Sequence, residues 1–168
     1  MQWYYKFLNP VAKNIDRGKY TAHPLGGVNK RSLEVSLGFG FERWCRRNAH
    51  LFAKILGFSG VDYEAGSFFD RKSDEQEPGF QIDLMYIVRG SKIFICEIKY
   101  FDGKMGPEVG AQVKKKIQLF GQRMPKYKNY TFESVLITPE GLEDAKSPST
   151  LHMTFDHVIR ACFQSCLT

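Results

Sequence analysis

A predicted hairpin with acidic and basic residues at its open end constrains the fold of this chain most strongly. Residues 79–88 read Gly-Phe-Gln-Ile-Asp-Leu-Met-Tyr-Ile-Val and residues 92–99 read Lys-Ile-Phe-Ile-Cys-Glu-Ile-Lys, with Arg-Gly-Ser between them. Both segments are rich in β-branched and aromatic residues, which predicts two strands, and the Gly-Ser break predicts a turn. Because side chains alternate along a strand, Glu97 and Lys99 are expected to end the face that begins with Ile93 and Ile95.

The register of this hairpin decides whether Asp83 joins Glu97. With a three-residue loop, Val88 pairs with Lys92 and Asp83 lies opposite Glu97, with Cβ atoms ~4.5–5.5 Å apart. A two-residue turn without a bulge would instead move Asp83 to the other face. Two opposed carboxylates repel each other unless a cation lies between them, and hard ions such as Mg²⁺ bind carboxylate oxygens. The pattern is typical of a metal site beside Lys99, but an Asp near a strand start with a Glu/Lys pair at a strand end is also common in solvated hairpins, and the spacing alone leaves both open.

Residues from about 36 to 56 are predicted to form a helix, because apolar residues recur there with the helical period and Gly57 follows. Glu42 lies on the stripe that continues through Cys45 and Phe52, so its side chain is expected to point toward the protein. A buried charge is costly unless it is paired or bound to a metal, which favours a functional role. The alternative is that a carboxylate near the first turn suits the helix dipole.

The rest of the chain predicts an α/β domain. Further strands are predicted at 61–69, 132–138 and 151–155, a second helix ends near Tyr127, and Asp156 is expected to cap a last helix. Helices and strands in this order are typical of a mixed central sheet flanked by helices. Residues 1–35 lack a steady periodicity and are expected to be an irregular arm or the remnant of a longer chain, whereas residues 36–168 should form the domain.

Charge and composition restrict the partners and the compartment. The net charge of +6 and the pI near 9.1 suit an anionic partner such as nucleic acid. No apolar run approaches the ~20 residues of a membrane span, and no signal peptide is recognised. Cys162 and Cys166 are expected to be thiols at the edge of the core rather than half of a zinc site. These observations predict a cytoplasmic protein without a membrane partner.

Four residues, taken in order, resemble the PD-(D/E)xK nuclease superfamily: an inward Glu42 on the first helix, Asp83 on the second strand, and Glu97 and Lys99 on the third. The phrase Gly-Phe-Gln-Ile-Asp-Leu, followed by Ile-Cys-Glu-Ile-Lys-Tyr, is similar more narrowly to the nuclease-like domain at the C-terminus of certain bacterial and archaeal ATPases. The resemblance covers residues 36–168. One departure is that isoleucine, not proline, precedes Asp83.

The resemblance implies a restriction-endonuclease-like fold that hydrolyses phosphodiester bonds of DNA with Mg²⁺, for which Mn²⁺ should substitute. It implies that Asp83, Glu97 and the backbone carbonyl of Ile98 bind the metal. Lys99 would position or deprotonate the attacking water and stabilise the developing charge. Burial would lower the pKa of Lys99 and the two carboxylates would raise it, and the sequence leaves this balance open.

Further roles follow from the same resemblance. Glu42 would orient a metal-bound water or help to hold a second ion. Gln112 on the second helix would be a polar site residue, with Lys116 and Gln118 as competitors for that position. Phosphate contacts are expected from basic residues on the first helix (Arg43, Arg46 and Arg47) and on or just after the second: Lys114, Lys115, Lys116, Arg123 and Lys126. Without a helix-turn-helix or a zinc finger, recognition should depend on the shape or ends of DNA rather than its sequence.

Two other functions stay open. A catalytically silent nuclease-like domain could regulate a partner ATPase or bind DNA, since a fold does not guarantee a reaction. A protein-interaction module could instead dock through the aromatic cluster near Trp3. Nucleases of this kind often act as dimers to cut two strands, so a homodimer is a further expected assembly.

Overall fold

The structure is a computed structural model that describes residues 3–71, 79–90, 92–101, 108–140, 150–158 and 160. Its α-helices are α1 (Ala12–Asp16), α2 (Lys30–Arg47), α3 (Ala49–Ile55) and α4 (Glu108–Arg123). Its strands are β1 (Tyr63–Asp70), β2 (Phe80–Val88), β3 (Lys92–Ile98), β4 (Thr131–Ile137) and β5 (Thr150–Met153). Shorter helical turns occupy Tyr4–Leu8, Asn9–Val11 and Pro125–Tyr127.

The strands form one five-stranded mixed sheet in the order β1-β2-β3-β4-β5. The strands β1, β2 and β3 are joined as an antiparallel meander, whereas β4 runs parallel to β3 and β5 runs parallel to β4. The long connection between β3 and β4 contains α4, as a parallel crossover requires. The predicted α/β class, with a mixed central sheet flanked by helices, is confirmed.

Each face of the sheet has its own hydrophobic core. One core joins residues at the end of α2, on α3 and at Val158 to Leu84, Tyr86 and Cys96 of the sheet. The other joins Val113 and Phe120 of α4 to a different set of strand residues, which includes Ile82, Ile93 and Ile95. Because both faces of β3 are covered, its side chains from Ile93 to Ile98 are all buried.

The predicted first helix differs from the structure at its start and in its middle. It begins at Lys30 rather than near Ser36, because Asn29 Oδ1 accepts a hydrogen bond from the Ser32 amide (2.9 Å), as an N-terminal cap does. It is also interrupted at Asn48, whose side-chain amide donates to the Trp44 carbonyl (2.9 Å). The predicted end is confirmed: Gly57 follows α3 with a φ of +82°, a conformation that favours glycine.

The chain divides into two compact units, residues 1–40 and 41–168. In the first unit, the chain before α1 is helical rather than irregular: Phe7 is buried, and its ring lies 4.9 Å from that of Trp3. Lys6 donates a hydrogen bond to Ser36 (3.0 Å). The aromatic side chains of Trp3, Tyr4 and Tyr5 are exposed.

The predicted strands and the second helix are confirmed within a few residues. The last helix is described only in part. Its helical residues begin at Phe155, so Asp156 lies inside it, and the predicted continuation through Cys162 and Cys166 lies outside the described residues. The other two cysteines, Cys45 and Cys96, are buried thiols. Among the helices that the structure describes, none is both long and apolar enough to cross a membrane.

Removing the Tyr86 hydroxyl should destabilise the packing of α3 on the sheet. Tyr86 is completely buried, and its hydroxyl donates a hydrogen bond to the Ala49 carbonyl (2.8 Å). We expect Tyr86→Phe to lower the free energy of unfolding by about 1 kcal/mol, as measured by urea denaturation. Tyr100→Phe, at a tyrosine that is 37% exposed, is the control and should change it little. Equal stability of the two variants would contradict the assigned role of this hydrogen bond.

Candidate active site

The hairpin between β2 and β3 adopts the three-residue register. Val88 pairs with Lys92 and Leu84 pairs with Cys96. Gly90, in the turn, has a φ of +73°, a conformation that favours glycine. This register brings the first residues of β2 beside the end of β3. There the Asp83 carboxylate accepts a hydrogen bond from the Ile98 amide through Oδ2 (3.0 Å). The pairs of this ladder run from Val88 and Lys92 to Leu84 and Cys96, so the direct opposition of Asp83 and Glu97 stays a prediction.

A β-bulge places Asp83 in this position. Gly66 of β1 pairs with Met85, and Phe68 pairs with Ile82, so β2 has two residues between these pairs where β1 has one. As a result, Ile82 packs in the core beside α4, whereas Leu84 packs in the core of the opposite face. Bulges commonly re-aim a side chain next to an active site. This bulge was not predicted from the sequence, although glycine inside a strand, here Gly66, is a known signal for one.

Glu97 is a charged side chain held inside the sheet. It is 2% exposed and lies at the end of β3. Lys99 Nζ lies 2.9 Å from its Oε1, and the Lys116 ammonium of α4 is bound to its Oε2. A buried carboxylate is tolerated when it is paired and hydrogen-bonded in this way. Glu97 therefore links the end of β3 to α4.

Glu42 completes the predicted group of acidic residues. Its side chain is 19% exposed, and its Oε1 lies 2.9 Å from Nη2 of Arg46, one helical turn later. Its negative charge also acts on Asp83 and Lys99, whose pKa values it raises. The charges of Glu42 and Glu97 therefore both act on Asp83 and Lys99, and the assignment of these four residues to one catalytic site stays a prediction.

Burial and neighbouring charges shift two pKa values in this group. Burial raises the pKa of Asp83; the Ile98 N–H opposes this shift, and the charge of Glu97 adds to it. For Lys99, burial lowers the pKa, but the hydrogen bond to Glu97 and the charges of Glu97, Asp83 and Glu42 together outweigh burial, and the net effect is a raised pKa. The balance that the sequence left open is therefore decided in favour of the carboxylates. Lys99 is a cation at neutral pH in this structure.

Carboxylate and carbonyl oxygens, the donor types at this site, are those that hard divalent cations take. Asp83 and Glu97 offer carboxylate oxygens from neighbouring strands, and the Ile98 carbonyl is the third predicted donor. Mg²⁺ often binds one or two protein carboxylates and fills its remaining positions with water and phosphate. A cation would also relieve the effect of Glu97 on the pKa of Asp83. Within the described ranges there is no group of three or more His, Cys, Asp and Glu side chains that could hold a metal, so this site would depend on the carbonyl and on water.

Two predicted residues have different surroundings from those expected. Lys116 is bound to Glu97 rather than presented to solvent, and Gln112 is exposed, with no side-chain hydrogen bond to another described residue. Of the two competitors for the helix position, the structure therefore brings Lys116 to the carboxylates. Gln112 and Lys116 lie one helical turn apart in the sequence. Only the packing of α4 against the sheet decides which of them reaches Glu97.

The predicted phosphate-binding residues fall into two classes. Lys114, Lys115 and Lys126 are exposed, and the ammonium of Lys126 lies 4.7 Å from the centre of the Tyr127 ring. Arg123 is instead bound to Asp70, with its side chain only 12% exposed, so its charge already has a partner in the fold. The exposed lysines are available to an anionic ligand.

Comparison with known proteins leaves the family of this chain open. No protein-family model matches it, and no curated protein matches it. Among solved structures, it is similar to one described as "Protein of Unknown Function AF1548", with 13% sequence identity and a TM-score of 0.41. The match covers 69% of this chain and 65% of that one. The activity of this chain is therefore inferred from its own residues.

Replacing Asp83 should stabilise the protein in the absence of metal. A carboxyl group with a raised pKa binds its proton more tightly in the folded state, so its ionised form destabilises the fold at neutral pH. This penalty is lost as the pH falls through the raised pKa toward the ordinary value of 3.8. We expect Asp83→Asn, which can still accept the Ile98 hydrogen bond, to raise the melting temperature at pH 7 in EDTA by about 2–4 °C.

The same melting experiment has two internal controls. The difference in melting temperature between the variant and the wild type should shrink as the pH falls toward 4, because Asp83 is then protonated in both the folded and the unfolded state. Added Mg²⁺ should stabilise the wild type more than the variant, because a ligand stabilises only a folded state that binds it. A variant that melts below the wild type at pH 7 in EDTA would contradict the assigned charge repulsion.

Proposed function

We propose that this chain is a metal-dependent nuclease of the PD-(D/E)xK type that hydrolyses phosphodiester bonds of DNA without strong sequence specificity. One observation carries the proposal: the Asp83 carboxylate accepts a hydrogen bond from the Ile98 amide, between Glu97 and Lys99, while Lys99 pairs with Glu97 and the charge of Glu42 acts on Asp83 and Lys99. Carboxylates for a hard cation and an ammonium group beside them are the groups that phosphodiester hydrolysis requires.

Each residue has a distinct task in this reaction. A phosphodiester is anionic, so its hydrolysis needs an activated water and neutralisation of the charge that develops on the phosphorus oxygens. Bound Mg²⁺ would supply Lewis acidity and an acidified water. Asp83 and Glu97, with the Ile98 carbonyl, would hold that ion. Lys99, a cation in this structure, would orient the water and stabilise the developing charge rather than serve as the first base.

The substrate would be held through its phosphates. Lys114 and Lys115 are exposed on the helix that also carries Lys116. Contacts of lysine with phosphates give affinity without reading bases, and this affinity falls steeply with salt. Mn²⁺ in place of Mg²⁺, a cytoplasmic location, a partner ATPase and a homodimer remain predictions.

A second function has a specific observation in its favour. Both carboxylate oxygens of Glu97 are already bound by lysines, so the fold is electrostatically satisfied there without a metal. A nuclease-like domain that binds DNA or regulates a partner ATPase would need nothing more. Metal binding separates the two functions, since a silent domain has no requirement for it.

Cleavage of supercoiled plasmid and of single-stranded DNA tests the proposal directly. We expect the wild type to cut with Mg²⁺ or Mn²⁺ and not with EDTA. Lys99→Ala should reduce the rate by about 10²–10⁴-fold, the range for loss of a positioned catalytic group. Lys54→Ala removes an exposed lysine from α3 and is the matched control, which should cut like the wild type. Circular dichroism and melting curves would establish that each variant is folded.

The outcomes separate the two functions. Unchanged cutting by a folded Lys99→Ala preparation would reject the nuclease mechanism, because the activity would then come from another site or a contaminant. No cutting by the wild type, together with no metal binding, would favour the silent regulatory domain.

A further inference from the structure

Lys116 pairs with the buried carboxylate of Glu97, a contact that the sequence did not predict. Its ammonium is bound to Oε2 of Glu97, and its side chain is only 20% exposed. Lys99 holds the other oxygen, Oε1, at 2.9 Å. Asp83, in contrast, accepts hydrogen bonds in the described part of the chain from neutral donors, the Ile98 amide and the Gln81 side chain (3.4 Å). The two ammonium groups are therefore concentrated on the carboxylate that is most deeply buried.

A metal bound between Asp83 and Glu97 would compete with Lys116. Both need an oxygen of Glu97, and two cations on the same oxygen repel each other. Lys99 follows Glu97 on the same chain segment, so its position is tied to that of the carboxylate. Lys116 reaches Glu97 from α4, across the packed face of the sheet, on a flexible four-carbon stem. Both lysines have flexible side chains, but Lys116 comes from a different element, so its departure also releases Glu97 from α4.

We propose that Lys116 is an internal cation that keeps Glu97 paired until a divalent cation displaces it, and that the released ammonium then binds a phosphate of DNA. This inference rests on the proposed function, because it uses the same metal site. It makes Lys116 a positioning residue that sets the metal affinity. It also couples the ligands: a phosphate that holds Lys116 away from Glu97 favours the metal, and the metal equally favours the phosphate.

Metal affinity without DNA is the first readout. Mn²⁺ binding would be measured by titration calorimetry for the wild type, Lys116→Met, Lys116→Gln, Lys116→Arg and Lys54→Met. Removing the competing charge in Lys116→Met or Lys116→Gln should tighten Mn²⁺ binding by about tenfold, within the usual range of a coupling between two ligands. Lys116→Arg retains the cation and should bind Mn²⁺ like the wild type. Lys54→Met removes the same charge from an exposed helical position and should also leave the affinity unchanged.

The coupling to DNA is the second readout. A short duplex oligonucleotide should tighten Mn²⁺ binding by the wild type and by Lys54→Met. The duplex should tighten Mn²⁺ binding by Lys116→Met much less, because that variant has no ammonium group to move from Glu97 to a phosphate. This difference separates displacement of Lys116 from a general effect of positive charge on DNA binding.

The results distinguish this inference from the proposed nuclease activity. Unchanged or weaker Mn²⁺ binding by the folded Lys116→Met and Lys116→Gln variants would overturn the inference, even if the wild type cleaves DNA. Tighter binding by both variants, together with a wild type that never cleaves, would support the inference and reject the nuclease. Absence of Mn²⁺ binding in the wild type and in both variants would overturn the inference together with the metal site.

Discussion

The buried carboxylate of Glu97 is the constraint on which the rest of the site depends. β3 is covered by helices on both faces, so a charge at its end is withdrawn from water. Removing the partners of such a charge typically costs 3–5 kcal/mol, about as much as a large core truncation. The fold must therefore place cations beside Glu97, and it does so from two directions, through Lys99 just after the same strand and Lys116 on α4. The position of α4 is thus an electrostatic requirement as well as a matter of apolar packing.

Asp83 is placed by backbone geometry rather than by an ion pair. The bulge in β2 sends Ile82 and Leu84 to opposite cores, and the residue between them reaches the last amide of β3. An amide donor stabilises the carboxylate less than a cation would, and Glu97 adds repulsion, so the pKa of Asp83 stays raised. Two acidic residues at one site are therefore held in different electrostatic environments. The negative charge of Asp83 is less well compensated than that of Glu97, so a bound cation would stabilise Asp83 more.

The parts of the fold that were predictable from sequence are those with local causes. Strand composition and the Arg89-Gly90-Ser91 break predicted the hairpin, and Gly57 predicted the end of α3. The register was left open between a three-residue and a two-residue loop, and the observed pairing of Val88 with Lys92 selects the first. The break at Asn48 was not predicted, because the apolar period continues through it while a side-chain hydrogen bond ends α2. The position of Lys116 was also beyond reach. It depends on how α4 packs against the sheet, which no local pattern encodes.

Charge balance explains why metal and substrate would favour each other at this site. Three carboxylates, Glu42, Asp83 and Glu97, lie with three cations, Arg46, Lys99 and Lys116, so the group is close to neutral without a metal when all the carboxylates are ionised. A divalent cation would give it an excess of positive charge in a partly buried place, which is unfavourable alone. An anionic phosphodiester removes that excess. If the chain is a nuclease, its site is therefore stable without a metal. Binding of the divalent cation is then most favourable when a phosphodiester is bound with it.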